Sequence, residues 1–122
     1  EEALRVPTEP KYDVVLADSV FQYFNDAAYG QKVLERMWAK AGKMVVVTEV
    51  HDQEKKDEHM AYRRKCVENY DEVYAGLDKT FYTREMFLQF AEEHGGRCEI
   101  VQPDNELYWN NRFVFDCYLY KE

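Results

Sequence analysis

The chain has 122 residues, of which 46% are hydrophobic and 33% charged, and its formal net charge is -8 at pH 7. This length and apolar content suit one folded domain over residues 1–122 and argue against disorder. The acidic balance disfavours nucleic acid and anionic membranes as partners, because both are bound mainly through lysine and arginine contacts to phosphate. The basic pairs Lys55-Lys56 and Arg63-Arg64 are interleaved with acids, which is typical of a solvated helix face.

The cysteines and histidines show no metal-ligand spacing. Cys66, Cys98 and Cys117 are scattered, and they fit neither a disulfide framework nor a zinc site. They indicate buried thiols in a reducing compartment, so we expect a cytoplasmic protein without a metal site. His59 and His94 are expected on helix surfaces. No apolar run is long enough to span a membrane, and the stretch EEALRVPTEP lacks the apolar core of a secretory signal.

The first predicted strand, Tyr12 to Ala17, lies in the stretch KYDVVLADSVFQYF. Its unbroken apolar run is typical of a parallel strand covered on both faces. Asn25 or Asp26 can cap the helix that follows. Gly42 is expected to end that helix in a left-handed conformation. The apolar stripe of the helix comprises Val33, Leu34, Met37, Trp38 and Ala41.

A second apolar strand, KMVVVTEV, completes a strand-helix-strand unit. Residues 52–77 predict a mostly polar helix with a weak apolar face. A clearer helix follows in TREMFLQFAEEHGG, with Thr83 as its cap and Gly95-Gly96 at its end. RCEIVQ and RFVFDCYLYK then predict two strands with no helix between them, so we expect an antiparallel hairpin.

This order of elements resembles the second half of the class I S-adenosylmethionine (SAM)-dependent methyltransferases. The resemblance implies an α/β fold: a three-layer, Rossmann-like partial sheet with two parallel strands and a crossover helix, then helices and a closing antiparallel hairpin. The first half of that family, with its Gly-rich turn and ribose-binding acid, has no counterpart in this sequence. The resemblance covers nearly the whole chain, and the segments that carry it are YDVVLADSVFQYF, VLERMWAKAGK, MVVVTEV, FYTREMFLQFAEEHGG and FVFDCYLY.

The resemblance also implies SAM as the cofactor of the complete domain. In open parallel sheets, ligands lie outside the carboxyl ends of the strands. The residues after the first strand would then line the methionine side of the cofactor. The alternative is that Asp18 and Ser19 merely turn the chain and cap a short helical segment. The candidate cofactor-binding residues are Asp18, Ser19, Val20 and Tyr23.

The candidate substrate-binding residues follow the second strand. Glu49 and His51 lie at its carboxyl end, where a group that titrates near neutrality is useful for substrate contacts or proton transfer. Polar strand-end residues that face water are the simpler interpretation. In the family, the next segment often covers the substrate, so Tyr62 and Tyr82 are further candidates, although such rings can equally pack a helix on the sheet.

The expected function is the carboxyl-terminal part of a SAM-dependent methyltransferase that acts on a small molecule, inactive alone because the cofactor-binding half is lacking. The alternative is a non-catalytic α/β interaction module, a methyltransferase remnant that binds a partner through an exposed sheet edge. Edge strands are usually protected by charge, proline or a bulge, and Val14 to Ala17 carry none of these. We therefore expect Tyr12 to Ala17 to pair with another chain, most simply in a homodimer.

Overall fold

The computed structural model describes residues 2–104, 107 and 109–122 as a four-stranded sheet with helices. The strands are β1 (Tyr12–Asp18), β2 (Ala41–His51), β3 (Arg97–Val101) and β4 (Val114–Tyr120). The α-helices are α1 (Ala27–Lys40), α2 (Lys56–Cys66), α3 (Tyr70–Val73) and α4 (Arg84–Glu93). Short 3-10 segments occupy Glu2–Arg5, Phe21–Tyr23, Gln53–Lys55 and Trp109–Phe113. Over the described residues, every helix is too short or too polar to cross a bilayer.

The strand order across the sheet is β1-β2-β4-β3. β1 runs parallel to β2, with Val15 opposite Val45, and α1 connects the two strands. β4 lies between β2 and β3 and pairs antiparallel with both. The predicted α/β architecture is confirmed, including the parallel pair, its crossover helix and the closing hairpin.

The helix boundaries follow most of the sequence signals. The side chains of Asp26 and Thr83 each accept a backbone hydrogen bond in the first turn of α1 and α4. Gly95 has φ +70° just after α4, as predicted. The prediction for Gly42 is wrong, because α1 ends directly at Ala41, whose extended backbone begins β2 and makes a left-handed stop unnecessary.

The polar segment predicted as one helix over residues 52–77 is divided. α2 ends at Cys66, and Asn69 adopts a left-handed backbone with φ 57° before the short α3 begins. Asparagine is one of the few non-glycine residues that visit this region routinely. After this interruption α3 lies beside α2, and residues of both helices line a cavity.

The core lies on one face of the sheet. Val47 of β2 lies directly opposite Cys117 of β4, so both side chains point to the same face. α1 and α4 both pack there, and Trp38 of α1 meets Phe90 of α4 edge-on with ring centroids 5.8 Å apart. Other fully buried members of this core are Leu34, Val45, Phe87, Phe115 and Leu119.

The other face of the sheet, here called the open face, carries a second set of large side chains. The expectation that β1 is covered on both faces is wrong, since Val14 is 48% exposed and Leu16 60% exposed. The physical reason is that, among the described residues, β1 is an edge strand paired only with β2, and α1 and α4 pack on the opposite face. The side chains of this face on β1, β2 and β4 include Val14, Leu16, Met44, Val46, Tyr118 and Tyr120, of which Val46 is buried among its neighbours.

Candidate functional site

The carboxyl ends of β1 and β2 lie side by side, as parallel strands require. Asp18 is opposite Thr48, whose hydroxyl donates a hydrogen bond to the Asp18 carboxylate. The N–H of Ser19 donates to the carbonyl of Thr48 at 3.2 Å. Ser19 and Glu49 both adopt left-handed backbone, with φ 57° and 55°. Ser19 turns the chain just after β1, whereas Glu49 lies inside β2, where the register with β4 shifts between Val47 and Val50.

A third carboxylate joins these two from a distant part of the chain. Asp116 of β4 accepts a hydrogen bond from the N–H of Glu49 at 2.9 Å. Burial raises the pKa of Asp116, and the neighbouring Glu49 and Asp18 carboxylates raise it further. A cavity of about 380 Å³ opens beside them. We call this group, Asp18, Glu49 and Asp116 with Thr48, the acidic rim; its carboxylates can accept hydrogen bonds from ligand hydroxyl or ammonium groups.

The loop after β1 presents the remaining predicted cofactor residues next to the acidic rim. Val20 is 40% exposed and Tyr23 65% exposed. The amide of Gln22 donates a hydrogen bond to the Ser19 hydroxyl at 2.9 Å, which fixes the start of the loop. The ammonium of Lys79 lies 4.4 Å from the centroid of the Tyr23 ring. All four predicted cofactor residues therefore lie in one short segment and are exposed or half-buried, although Phe21 and Gln22 between them are buried.

The predicted substrate residues are not brought together. Glu49 belongs to the acidic rim, whereas His51 is only 2% exposed, so the interpretation that it faces water is wrong. Its ring contacts His59 and Phe81 at centroid distances of 4.7 and 5.3 Å. Burial lowers the pKa of His51 to about 3, and the positive potentials of His59, Arg63 and Lys79 contribute. His51 is therefore a neutral, buried imidazole at physiological pH.

His59 also differs from its predicted surface position. It is fully buried, and its ring stacks on Phe113 with a centroid distance of 4.6 Å and an interplanar angle of 6°. The Nε–H of Arg63 donates a hydrogen bond to His59 at 3.0 Å. Burial lowers the pKa of His59 to about 4, and the charge of Arg63 adds to this. The polar sequence of α2 hides this burial, because the covering segment, Trp109–Phe113, comes from far along the chain.

Tyr62 and Tyr82 lie in different environments. Tyr62 is half-buried, with its ring 5.7 Å from that of Phe113 and under the guanidinium of Arg112. Tyr82 is 1% exposed, and its hydroxyl donates a hydrogen bond to the carbonyl of Phe21 at 2.8 Å. Burial raises the pKa of the Tyr82 phenol well above its usual range. Tyr82 is thus a core residue, and Tyr62 is the more accessible of the two.

The three cysteines are free thiols with different exposure. Cys117 is buried in the core, and its sulfur lies 3.5 Å from that of the half-buried Cys98 on the neighbouring strand. Cys66 is exposed at the end of α2, so the expectation of three buried thiols is wrong for this residue. The described residues contain no group of three or more side chains arranged to hold a metal ion.

Two members of the acidic rim, Thr48 and Asp116, were not predicted as site residues. Thr48 follows the apolar run of β2, and only its position opposite Asp18 distinguishes it. Asp116 carries a clearer signal, since it is the single acid within the strand sequence VFDCYLY. A charge in the middle of an otherwise apolar strand is a reason to expect a specific partner, here the N–H of Glu49.

No family model and no curated protein matches the sequence. Among solved structures, the chain is similar in fold to part of a methyltransferase. Magnesium protoporphyrin IX methyltransferase from Synechocystis PCC 6803 with bound SAH superposes with a TM-score of 0.69 at 7% identity, over 100% of this chain and 49% of that chain. Its structure with bound SAM gives a TM-score of 0.61 at 7% identity, over 98% and 43%. The chain therefore spans about half the length of these neighbours.

Proposed function

We propose that this chain is the carboxyl-terminal part of a SAM-dependent methyltransferase that acts on a small molecule. One observation carries the proposal: the whole chain superposes with a TM-score of 0.69 on about half of a methyltransferase that was crystallised with SAH. The net charge of -8 favours a small molecule over nucleic acid. We propose a cytoplasmic location, in keeping with three free thiols. We treat residues 1–122 as a portion of one domain.

In the complete domain, Asp18, Ser19, Val20 and Tyr23 contact the methionine side of SAM. The support is their common loop at the carboxyl end of β1 and the exposure of its side chains. SAM supplies the methyl group and carries an ammonium, for which the carboxylate of Asp18 is a suitable partner. Methyl transfer from a sulfonium depends largely on proximity and alignment, so these residues act by holding the cofactor in place.

The predicted substrate residues take two kinds of role in this proposal. Glu49 is on the acidic rim, where its carboxylate can contact the part of the methyl acceptor that reaches the cofactor. His51 and Tyr82 are buried, so they act as the supporting wall behind the site. Tyr62 is half-buried and lines a separate cavity with Arg63 and Cys66, so its proposed contact is with an outer part of the methyl acceptor.

The edge of β1 and the open face are where we propose that the cofactor-binding half packs. The exposure of Val14 and Leu16 supports this, because an unprotected apolar edge strand usually pairs with a further strand. The length of the structural neighbours, about twice that of this chain, supports it as well. In the isolated 122-residue chain, the same edge pairs with a second copy and gives a homodimer.

The same edge favours a second candidate function, a non-catalytic module that binds a partner protein. A groove of about 270 Å³ runs between β1 and α1, and its lining includes Val15, Val20, Phe24, Val33 and Met37. The coding sequence upstream of Glu1 distinguishes the two candidates. A strand followed by a Gly-rich turn supports the enzyme, and a start codon near Glu1 favours the module.

The experiment that tests the cofactor placement compares Asp18→Ala with Glu49→Ala in the complete domain by titration calorimetry with SAM. We expect Asp18→Ala to weaken SAM binding by about tenfold, the size expected for a hydrogen bond to a charged group, and Glu49→Ala to weaken it less. Asp13→Ala is the matched control, because Asp13 is an exposed acid near the other end of the same strand. Equal or reversed effects of the first two substitutions would contradict the placement.

A further inference from the structure

A second cavity, of about 480 Å³, lies between α2, α3 and the segment that leads to Tyr82. Its volume is in the range of small-molecule sites. The division of the polar segment at Asn69 creates it, since α3 folds back beside α2. Tyr70 and Tyr74 of α3 contact each other with ring centroids 4.8 Å apart. The apolar part of the lining comprises Met60, Tyr70, Tyr74, Leu77 and Phe81.

The charged part of the lining includes two lysines and two aspartates, and each lysine is next to an aspartate in the sequence. Lys56 and Asp57 lie in the first turn of α2, and Asp78 and Lys79 lie in the facing segment. Within residues 2–104, 107 and 109–122, none of these four side chains forms an ion pair. The other charges of the lining, Arg64 and Asp71, neutralise each other at 3.1 Å.

The two lysine ammonium groups are held over aromatic rings. The ammonium of Lys56 lies 5.4 Å from the ring centroid of Phe81, and that of Lys79 lies 4.4 Å from that of Tyr23. Lys79 is half-buried, and its burial together with the charge of Arg63 lowers its pKa. An anionic ligand group would favour the charged form of Lys79, because it supplies a counter-charge that this side chain lacks among the described residues.

We propose that this cavity is the substrate pocket of the methyltransferase and that it binds a zwitterionic small molecule with a ring-bearing body, of the class of the aromatic amino acids. The carboxylate of the ligand pairs with Lys56 and Lys79, and its ammonium pairs with Asp57 and Asp78. Lys56, Asp57 and Asp78 are exposed, and a ligand with a single charge would engage only one of the two kinds of lining charge. The ring of the ligand packs among the apolar residues of the lining.

The pocket lies next to the proposed cofactor residues, as a methyl-acceptor pocket must. This part of the inference rests on the proposed function. Lys79 joins the two sites, since it lines the pocket while its ammonium lies over Tyr23, one of the proposed cofactor residues. The N–H of Thr80 donates a hydrogen bond to the carbonyl of Gln22 at 2.9 Å, which ties the pocket segment to the cofactor loop.

The test uses the isotope-labelled 122-residue chain and three probes in nuclear magnetic resonance titrations. L-phenylalanine carries both charges, 3-phenylpropionate lacks the ammonium and 2-phenylethylamine lacks the carboxylate. We expect L-phenylalanine to shift the amide signals of Lys56 and Lys79, with an affinity about tenfold higher than that of either analogue. Absence of shifts up to the solubility limit of L-phenylalanine, or equal affinity for all three probes, would overturn the proposal.

Matched variants test whether the lining charges are responsible. Lys56→Gln and Asp78→Asn should each weaken L-phenylalanine binding by about tenfold. Glu58→Gln is the control, because Glu58 is an exposed charge on α2 outside the lining. Circular dichroism verifies that each variant keeps its fold. Equal affinity of Lys56→Gln and the control would show that Lys56 does not bind the carboxylate of the ligand.

Failure of this inference and failure of the proposed function are distinguishable, since binding of L-phenylalanine to the chain does not require SAM. If the complete domain binds SAM and the chain does not bind L-phenylalanine, the pocket assignment is overturned and the methyltransferase proposal stands. If the chain binds L-phenylalanine and the complete domain does not bind SAM, the zwitterion site stands and its role as a methyl-acceptor pocket is overturned.

Discussion

The two faces of the sheet have similar side chains and different surroundings. On the covered face, the layer of α1 and α4 buries Val45 and Val47 of β2 completely. On the open face, Val14 and Leu16 remain about half exposed on a strand of equal apolar character. The hydrophobicity of the strand residues therefore does not distinguish the two faces. They differ in that α1 and α4 pack on one face only. A surface with the composition of a buried face but without a cover is typical of one that packs against another structural layer.

The comparison predicts its largest difference for two leucines. Leu34 is fully buried, so Leu34→Ala should lower the free energy of unfolding by about 2–5 kcal/mol, through lost burial and the cavity left behind. Leu16 is 60% exposed, so Leu16→Ala should lower it by less than about 1 kcal/mol. Urea denaturation of both variants at low protein concentration measures the difference. Equal losses would mean that the open face is covered in the chain as it exists in solution.

A second prediction concerns the covered histidines and pH. The folded-state pKa of His51, about 3, lies below the ordinary value of 6.5, so the unfolded chain binds the proton first. Stability is then fully present above about pH 6.5 and is lost as the pH falls towards 3. From pH 7 to pH 5, His51 alone should lower the free energy of unfolding by about 2 kcal/mol.

Denaturation curves at several pH values test this for the chain, for His51→Gln and for His94→Gln. The first variant should flatten the loss of stability between pH 7 and pH 5. His94 is exposed, so the second variant should retain the loss and serves as the control. An unchanged slope in His51→Gln would show that this ring is accessible to protons in the folded chain.

The smallest predicted effect concerns the association of chains through the edge of β1. A lysine at Val14 places a charge in the middle of an exposed edge strand, which disfavours pairing of strands. We expect Val14→Lys to weaken self-association by about tenfold, measured by light scattering over a range of concentrations. Leu88→Lys is the control, because Leu88 is 46% exposed on α4, away from the edge. If the original chain is monomeric at high concentration and its Val14 to Ala17 amides exchange rapidly, the edge of β1 does not pair with another chain.

The sequence predicts the elements well where local patterns decide them. The apolar runs of β1 and β2 and the helical stripe between them are sufficient for a parallel pair with a crossover helix. The caps at Asp26 and Thr83 depend on a side chain and a backbone N–H a few residues away, so they too can be predicted. Gly42 was mispredicted because a glycine in a strand and a glycine that ends a helix look alike in sequence.

Features that depend on distant contacts could not be predicted in this way. An apolar strand sequence indicates that both faces of the strand can be buried. Whether Leu16 is buried depends on which helices or strands pack against it, and that cannot be read from the strand itself. His59 lies in a polar helix and is buried by residues about fifty positions later in the chain. The acidic rim shows both cases. Asp18 and Glu49 lie near the carboxyl ends of neighbouring parallel strands, so a strand-helix-strand unit is sufficient to bring them close, whereas Asp116 comes from an antiparallel strand.

Titration calorimetry of SAM into the 122-residue chain tests the central claim most directly. The claim is that this chain is a carboxyl-terminal half, in which the residues after β1 supply part of a cofactor site and a second half supplies the Gly-rich turn and the ribose-binding acid. The chain alone should then bind SAM weakly or not at all, and the domain completed with its upstream coding sequence should bind it with at least micromolar affinity. Micromolar affinity of the isolated chain would contradict the account.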